Sequence, residues 1–305
     1  MSAALLLTAS DLRPLRDEPA HMRGALDAVQ SAIVAHHQGA VRQGRLVDRR
    51  PGEFEGIRLS LLAGDGLLSG MRVFGNPPHT RAFLLFEGET RALLALMDYG
   101  VLNSLRVGAT AGVAARHLAP AGARSVGLLG SGWQAAPQVG ALLAAVPSIQ
   151  EIRVFSPTRA HREAFARDMT LRHDLPVIAV DSAEEAIRAA DIVDLCAPGH
   201  FDERTPLLTE DWVQPGALVI SMAPSQYPAE LAAQARLVAD IPEFTSDASV
   251  PVGGVIVDKV PPRRSDDERV IYRLEGGTVQ DLFVATWGYT WARDRGLGQA
   301  FDLSA

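Results

Sequence analysis

The stretch SVGLLGSGWQA, Ser125 to Ala135, is where residue types and spacing first point to chemistry. An apolar run ends on Gly130, a second glycine follows at position 132, and Ala135 completes a G-x-G-x-x-A pattern before a helical period begins. Taken alone, the pattern is a tight strand-to-helix turn. Between a strand and a helix, however, Gly132 lets a pyrophosphate approach the backbone and Ala135 allows the helix to pack closely. The unpaired N–H groups at the helix start attract an anion. Gly130, Ser131, Gly132, Trp133 and Gln134 are therefore expected to bind the phosphates of a dinucleotide.

The residue at the end of the following strand meets the adenosine ribose, where an acid would bind the 2′-hydroxyl and repel a 2′-phosphate. The chain reads VFSPTRAH there, with Ser156 in the acid's place and Thr158 and Arg159 adding donors and a positive charge. That favours NADP(H), with NAD(H) the alternative. Cys196, Ala197 and Pro198, closing the run DIVDLCAP, are expected to line the ribose side of the cofactor, and Met222 and Ala223, after ALVIS, to border it as well. A thiol at a strand end is read as a small buried hydrophobe, not a nucleophile. The eight histidines show no ligand spacing: His36 and His37 are adjacent on a helix, about 100° apart, and no metal is expected.

These residues need a scaffold, and the hydrophobic pattern supplies one. From about residue 121 the chain alternates apolar runs (RSVGLLG, EIRVFSP, LPVIAV, DIVDLCAP, ALVISMA, ARLVADI) with helices expected at 134–145, 159–172 and 182–190. Strands apolar throughout and joined by helices indicate a parallel sheet covered on both faces, a doubly wound α/β domain. Before it, ALLLTASDL reads as a strand and a helix start capped by Ser10 or Asp11, followed by a helix from about 20 to 38. Three apolar runs separated by turns (IRLSLLAG, GMRVFG, RAFLLFEG) read as an antiparallel sheet, and a helix is expected from an Asn103 cap. The closing VQDLFVATWGYTWARDRGLG places Trp287 and Trp291 on one helix face.

The 305 residues, 47% hydrophobic and 21% charged, suffice for two domains. A net charge of −7 without a basic stripe argues against nucleic acid as a partner. No window approaches the about 18 apolar residues that a membrane span requires, so no membrane partner is expected. The AALLL run is too short for a signal sequence, and one cysteine fits a reducing cytoplasm.

With the glycine turn, its second strand and NSLRVGATAGVAARHLA in view, the sequence resembles the ornithine cyclodeaminase/mu-crystallin family, which also contains alanine dehydrogenases and ketimine reductases. The likeness runs from LLLTASDL to GGTVQDL and is most specific between Gly88 and Ala135. It implies a homodimer with a Rossmann domain over 120–283 and a substrate-binding and dimerisation domain over 1–119, completed by a C-terminal helix at 284–305. It also implies hydride transfer between a nicotinamide and the α-carbon of an amino or imino acid. Arg106 matches the family's helix arginine, and Arg72, in GMRV, stands where the family usually has lysine; a third arginine corresponds to Arg50 or Arg49. Such guanidinium groups would grip the substrate carboxylate, but an arginine is a poor general acid.

Asn76 matches a family asparagine, and His79 in GNPPHT titrates in the range a proton donor needs, although a turn histidine without a role is the simpler reading. After ALVIS, cyclodeaminases resemble G-x-D-x-P and use the aspartate as a base, whereas here MAPSQYPAEL puts Gln226 in that slot. An amide accepts no proton at neutral pH, so the chain is read as an imine or ketimine reductase. The alternatives are a cyclodeaminase or amino acid dehydrogenase drawing its base from Glu53, Glu55 or Asp65, and a non-catalytic protein binding NADPH or a small ligand.

Overall fold

The computed structural model describes residues 3–44, 46–48, 57–64, 68–74, 81–197, 207–241, 243 and 249–303. The chain forms two compact units, Met1–Arg106 with Gly277–Ala305, and Val107–Gly276. The breaks fall at Arg106/Val107 and Gly276/Gly277, ahead of the 119/120 and 283/284 boundaries expected from the family resemblance.

The first unit opens with β1 (Ala4–Leu7), α1 (Ala9–Asp17) and α2 (Met22–His37). Strands β2 (Val41–Gln43), β3 (Leu46–Asp48), β4 (Ile57–Gly64), β5 (Leu68–Phe74), β6 (Ala82–Glu87) and β7 (Leu93–Asp98) follow, and α3 (Tyr99–Leu118) leads into the second unit. One local expectation holds and one is corrected. Asp11 accepts a backbone N–H at the first helix start as expected, that of the N-cap residue Thr8 at 2.8 Å. Helix α3 starts at Tyr99, because Asp98 accepts the Val101 N–H at 2.7 Å and provides a cap one turn earlier than Asn103. Asn103 thereby becomes an interior helix residue.

The second unit runs β8 (Ser125–Leu129), α4 (Ala135–Ala145), β9 (Glu151–Phe155), α5 (Arg159–His173), β10 (Val177–Ala179), α6 (Ala183–Ile187), β11 (Ile192–Leu195), β12 (Leu218–Ser221), α7 (Ala229–Gln234), β13 (Arg236–Ala239), β14 (Val250–Pro251), α8 (Val252–Ile256) and β15 (Val270–Arg273). Among the described residues its eight strands are parallel throughout, in the order β10-β9-β8-β11-β12-β15-β13-β14. The expected doubly wound sheet is present, with its order reversing between β8 and β11. A ligand crevice lies at the carboxyl ends of the strands at such a reversal. Strands β11, β12 and β15 are buried along their whole length, and each fully buried Val or Leu contributes about 1.5–3 kcal/mol. Strand β15, not foreseen from sequence, inserts between β12 and β13 out of chain order.

The chain then returns to the first unit with α9 (Thr278–Arg293) and β16 (Gln299–Phe301). The first sheet runs β16-β1-β7-β6-β5-β4-β2, with β3 also on β4; β1 lies parallel to β7, and the rest pair antiparallel. Helix α9 packs on α2: Trp287 lies across Gly24, and Trp291 meets His21 edge-on at 5.4 Å, so the two tryptophans share a face as expected.

Within the second unit, α3 and α4 approach through Gly108, where an added Cβ would stand 2.6 Å from the Pro137 carbonyl oxygen. Backbone cannot yield as a side chain does. Gly108→Ala is therefore expected to lower stability by about 1–3 kcal/mol in urea unfolding, although alanine is the better helix former by up to about 1 kcal/mol. An unchanged midpoint would contradict this packing.

Candidate active site

The glycine turn sits at the carboxyl end of β8. Gly130 has φ +114, in the region that favours glycine, and a Cβ there would stand 2.8 Å from the Ala197 nitrogen at the end of the neighbouring strand β11. Its N–H donates to Phe155 O at 2.8 Å, so the turn is pinned to β9 as well. Among the described residues, a Cβ on Gly132 would meet nothing within 4 Å, and the buried Gln134 Oε1 has no hydrogen-bond partner. Ser131 Oγ lies 2.8 Å from Ser156 Oγ, and Trp133 is exposed. An open glycine backbone at the start of an eleven-residue helix fits the pyrophosphate of a dinucleotide.

Beyond Ser156, Thr158 is the N-cap residue of α5, and Arg159 is exposed, its Nε donating to Glu163 at 2.7 Å one turn along. The guanidinium that reaches back to the strand end is Arg162, whose Nη1 donates to Ser156 O at 3.1 Å. Its position three residues after Arg159 carried no signal separating the two.

Cys196 is buried; its thiol donates to Asp194 Oδ2 at 3.4 Å, and burial pushes its pKa well up. Asp194 itself lies inside β11, where burial pushes its carboxyl up to about 7. Gln226 is buried, and both ends of its amide are engaged by neighbouring turns. Its Oε1 accepts from Ser221 Oγ (2.7 Å), Met222 N (2.8 Å) and Ala223 N (3.2 Å), while its Nε2 donates to Ala197 O (2.7 Å) and Leu195 O (3.2 Å). The expected catalytic slot is thus corrected: the amide ties the turns after β11 and β12 together and holds Ala197, Met222 and Ala223 at the crevice.

In the first unit, Arg72 on β5 and Arg106 on α3 come together on a residue the sequence reading assigned no role. Both guanidinium groups donate to the carboxylate of Asp281 on α9, Arg72 Nη1 to Oδ2 and Arg106 Nε to Oδ1 at 2.9 Å. Arg72 Nη1 also donates to Tyr99 OH at 2.8 Å, and Arg106 Nη2 to Asn103 Oδ1 at 2.7 Å. Tyr99 OH in turn donates to Asn103 Oδ1 at 3.3 Å, and burial pushes its pKa up, so it keeps its proton. All five side chains are buried, with Asp281 only 1% exposed. Among the described residues the cluster carries two positive charges and one negative, and the buried Arg72 Nε has no hydrogen-bond partner. A carboxylate is the ligand that such a cluster accommodates. Asp281 did stand in the closing GGTVQDL stretch that carries the family likeness, but no role was read for it there.

A family model for ornithine cyclodeaminase/mu-crystallin proteins matches residues 69–295. The chain belongs to this family. The chain is 29% identical over 244 residues to a Delta(1)-pyrroline-2-carboxylate reductase of Bacillus cereus, covering 72% of this chain and 73% of that protein. It is 28% identical over 229 residues to the ketimine reductase mu-crystallin of Mus musculus, covering 70% of each. The solved Delta(1)-pyrroline-2-carboxylate reductase of Thermococcus litoralis, in complex with NADH and L-proline, superposes with a TM-score of 0.86 at 21% identity, over 97% of this chain and 100% of that one, and shares the fold. Of the candidates from sequence, Arg50, Asn76, His79 and Pro198 lie outside the described residues, as do Arg49, Glu53, Glu55 and Asp65. Among the described residues, no helix is long and apolar enough to cross a membrane, and no group of three or more His, Cys, Asp or Glu could hold a metal ion.

Removing the shared carboxylate leaves two buried guanidinium groups facing each other. Asp281→Ala is expected to cost about 3–5 kcal/mol in urea unfolding; a loss under about 1 kcal/mol would show that the cluster is not a coupled unit. Asp194 gives a pH signature. Its folded-state pKa of about 7 lies above the unfolded value of about 4, so the folded chain binds the extra proton between the two. Stability from this group is full below about pH 4 and falls as pH rises to about 7. Asp194→Asn is expected to exceed the parent by about 2–4 kcal/mol at pH 8, with the gap closing toward pH 4. A gap independent of pH would contradict the assignment.

Proposed function

We propose that this chain is an NADPH-dependent oxidoreductase that reduces the C=N bond of an imino acid to the amine, as a cytoplasmic homodimer. The observation that carries the substrate class is the Arg72–Asp281–Arg106 cluster, a buried site with two guanidinium groups to one carboxylate among the described residues. The relatives named as reductases of a cyclic imino acid and of ketimines support the reaction, and those relatives and the shared fold support the cofactor class. A bound nicotinamide supplies a hydride to the imine carbon.

The chain's own residues bind and orient. Arg72 and Arg106 grip the substrate carboxylate, Asp281 holds the two guanidinium groups in register, and Tyr99 and Asn103 fix them from the side. An arginine is a poor general acid and Tyr99 keeps its proton, so the cluster acts by positioning. In the second unit the open turn at Gly130–Gln134 receives the pyrophosphate, Ala197, Met222 and Ala223 border the cofactor, and Gln226 keeps the latter three in place. With Ser156 where an acid would stand, the ribose position tolerates a 2′-phosphate, which supports NADPH over NADH. The amide at Gln226 also favours a reductase over a cyclodeaminase, since a base is missing from that slot.

Titration of the purified chain with NADPH and NADH, followed by cyclic and linear imino acids, tests the reading. Turnover with NADPH and an imino acid is expected. Arg106→Ala should retain cofactor binding and lose kcat/KM by about 100-fold or more. Tight cofactor binding with no turnover on any imino acid would favour a binding protein, and failure to bind either dinucleotide would overturn the account of the glycine turn.

A further inference from the structure

The end of the second strand of the nucleotide-binding unit holds a guanidinium that the reading so far leaves without a task. Arg162 belongs to α5, but its side chain folds back to the strand: Nη1 donates to Ser156 O at 3.1 Å, and the group lies over the Phe155 ring, 5.4 Å from its centroid. Its Nη2 donates to Asp181 Oδ1 at 2.6 Å. The partners are unequal, because the Arg162 side chain is 8% exposed and that of Asp181 is 80% exposed. A buried cation is thus anchored to the protein by a carbonyl and capped from outside by a carboxylate that gives up little packing when it turns away. The Asp181 backbone stays held when this happens, since its N–H donates to Glu185 Oε2 at 3.1 Å.

A phosphate meets a guanidinium through the same parallel hydrogen bonds as a carboxylate, so Asp181 stands where a phosphate would. Ser156, whose carbonyl anchors Arg162, is the residue at the adenosine-ribose position. Arg159, the cation that sequence points to, is exposed and held by Glu163. We propose that Arg162 is the specificity-determining residue for the 2′-phosphate of NADP(H), with the phosphate displacing Asp181. The assignment rests on the reading that the glycine turn holds a nicotinamide dinucleotide.

The test is a fluorescence titration of the full chain with NADPH and with NADH, with NADH binding as the control for folding. Arg162→Gln is expected to weaken NADPH by about 10- to 100-fold and to change NADH by less than about threefold. Arg162→Lys keeps the charge without the fork and should show a smaller loss of the same selectivity. Asp181→Asn should tighten NADPH alone, and Arg159→Gln should leave both within about threefold. Equal weakening of both cofactors by the Arg162 variants, or a selective loss that falls on Arg159→Gln instead, would overturn the assignment. A parent chain that binds NADH alone would overturn it while leaving the dinucleotide reading intact; a parent that binds neither would overturn both.

Discussion

Two guanidinium groups buried around one carboxylate are the constraint on which the first unit depends. Taking charges out of water costs several kcal/mol per ion, and the cost is offset only when geometry and hydrogen bonds are good. Arg72 and Arg106 meet that condition by dividing the oxygens of Asp281 between them and by bonding to Tyr99 and Asn103. The elements that supply these groups, β5, α3 and α9, are drawn from distant parts of the chain, with Arg72 and Asp281 separated by 209 positions. Sheet, helix and C-terminal return must all be in place before the charges can be buried. Among the described residues the same arrangement leaves the buried Arg72 Nε without a hydrogen-bond partner.

The second unit solves a different problem, that of bringing backbone close to a large anion without side chains in the way. Gly130 permits a turn with positive φ pressed against the end of β11, and among the described residues nothing stands within 4 Å of where a Gly132 Cβ would lie. The neighbouring loops are tied by Gln226, which uses both ends of its amide on five backbone and hydroxyl partners. An aspartate in its place could accept the bonds from Ser221, Met222 and Ala223 but could not donate to Ala197 and Leu195. The amide therefore suits a protein in which this position holds loops rather than exchanges protons.

Local spacing made the nucleotide-binding unit legible, because the turn, its strands and its helices are contiguous and their periodicity reflects burial on both faces. Strand β15 escaped notice because VIYR is only four residues long, with charged residues before it, and pairs out of chain order. The start of α3 was misplaced because Asp98 and Asn103 are equally good caps on residue type alone, and only the path of β7 decides between them. Arg72 and Arg106 were identified by family resemblance, whereas the parts that Tyr99 and Asp281 play in the cluster, the latter within the family-like GGTVQDL stretch, are visible only once the chain is folded. At Gln226 the position was found by counting from Pro228, but whether an amide faces a ligand or its own backbone depends on loop geometry that no spacing encodes.

The most direct measurement of the central claim compares a cyclic imine bearing an α-carboxylate with the same ring lacking it, as kcat/KM with NADPH, in the parent chain and in Arg106→Gln. If the buried arginines recognise the carboxylate, the parent chain prefers the carboxylated ring by about 100-fold or more and the variant loses most of that preference. Equal rates on the two rings in the parent, or an undiminished preference in the variant, would contradict the account.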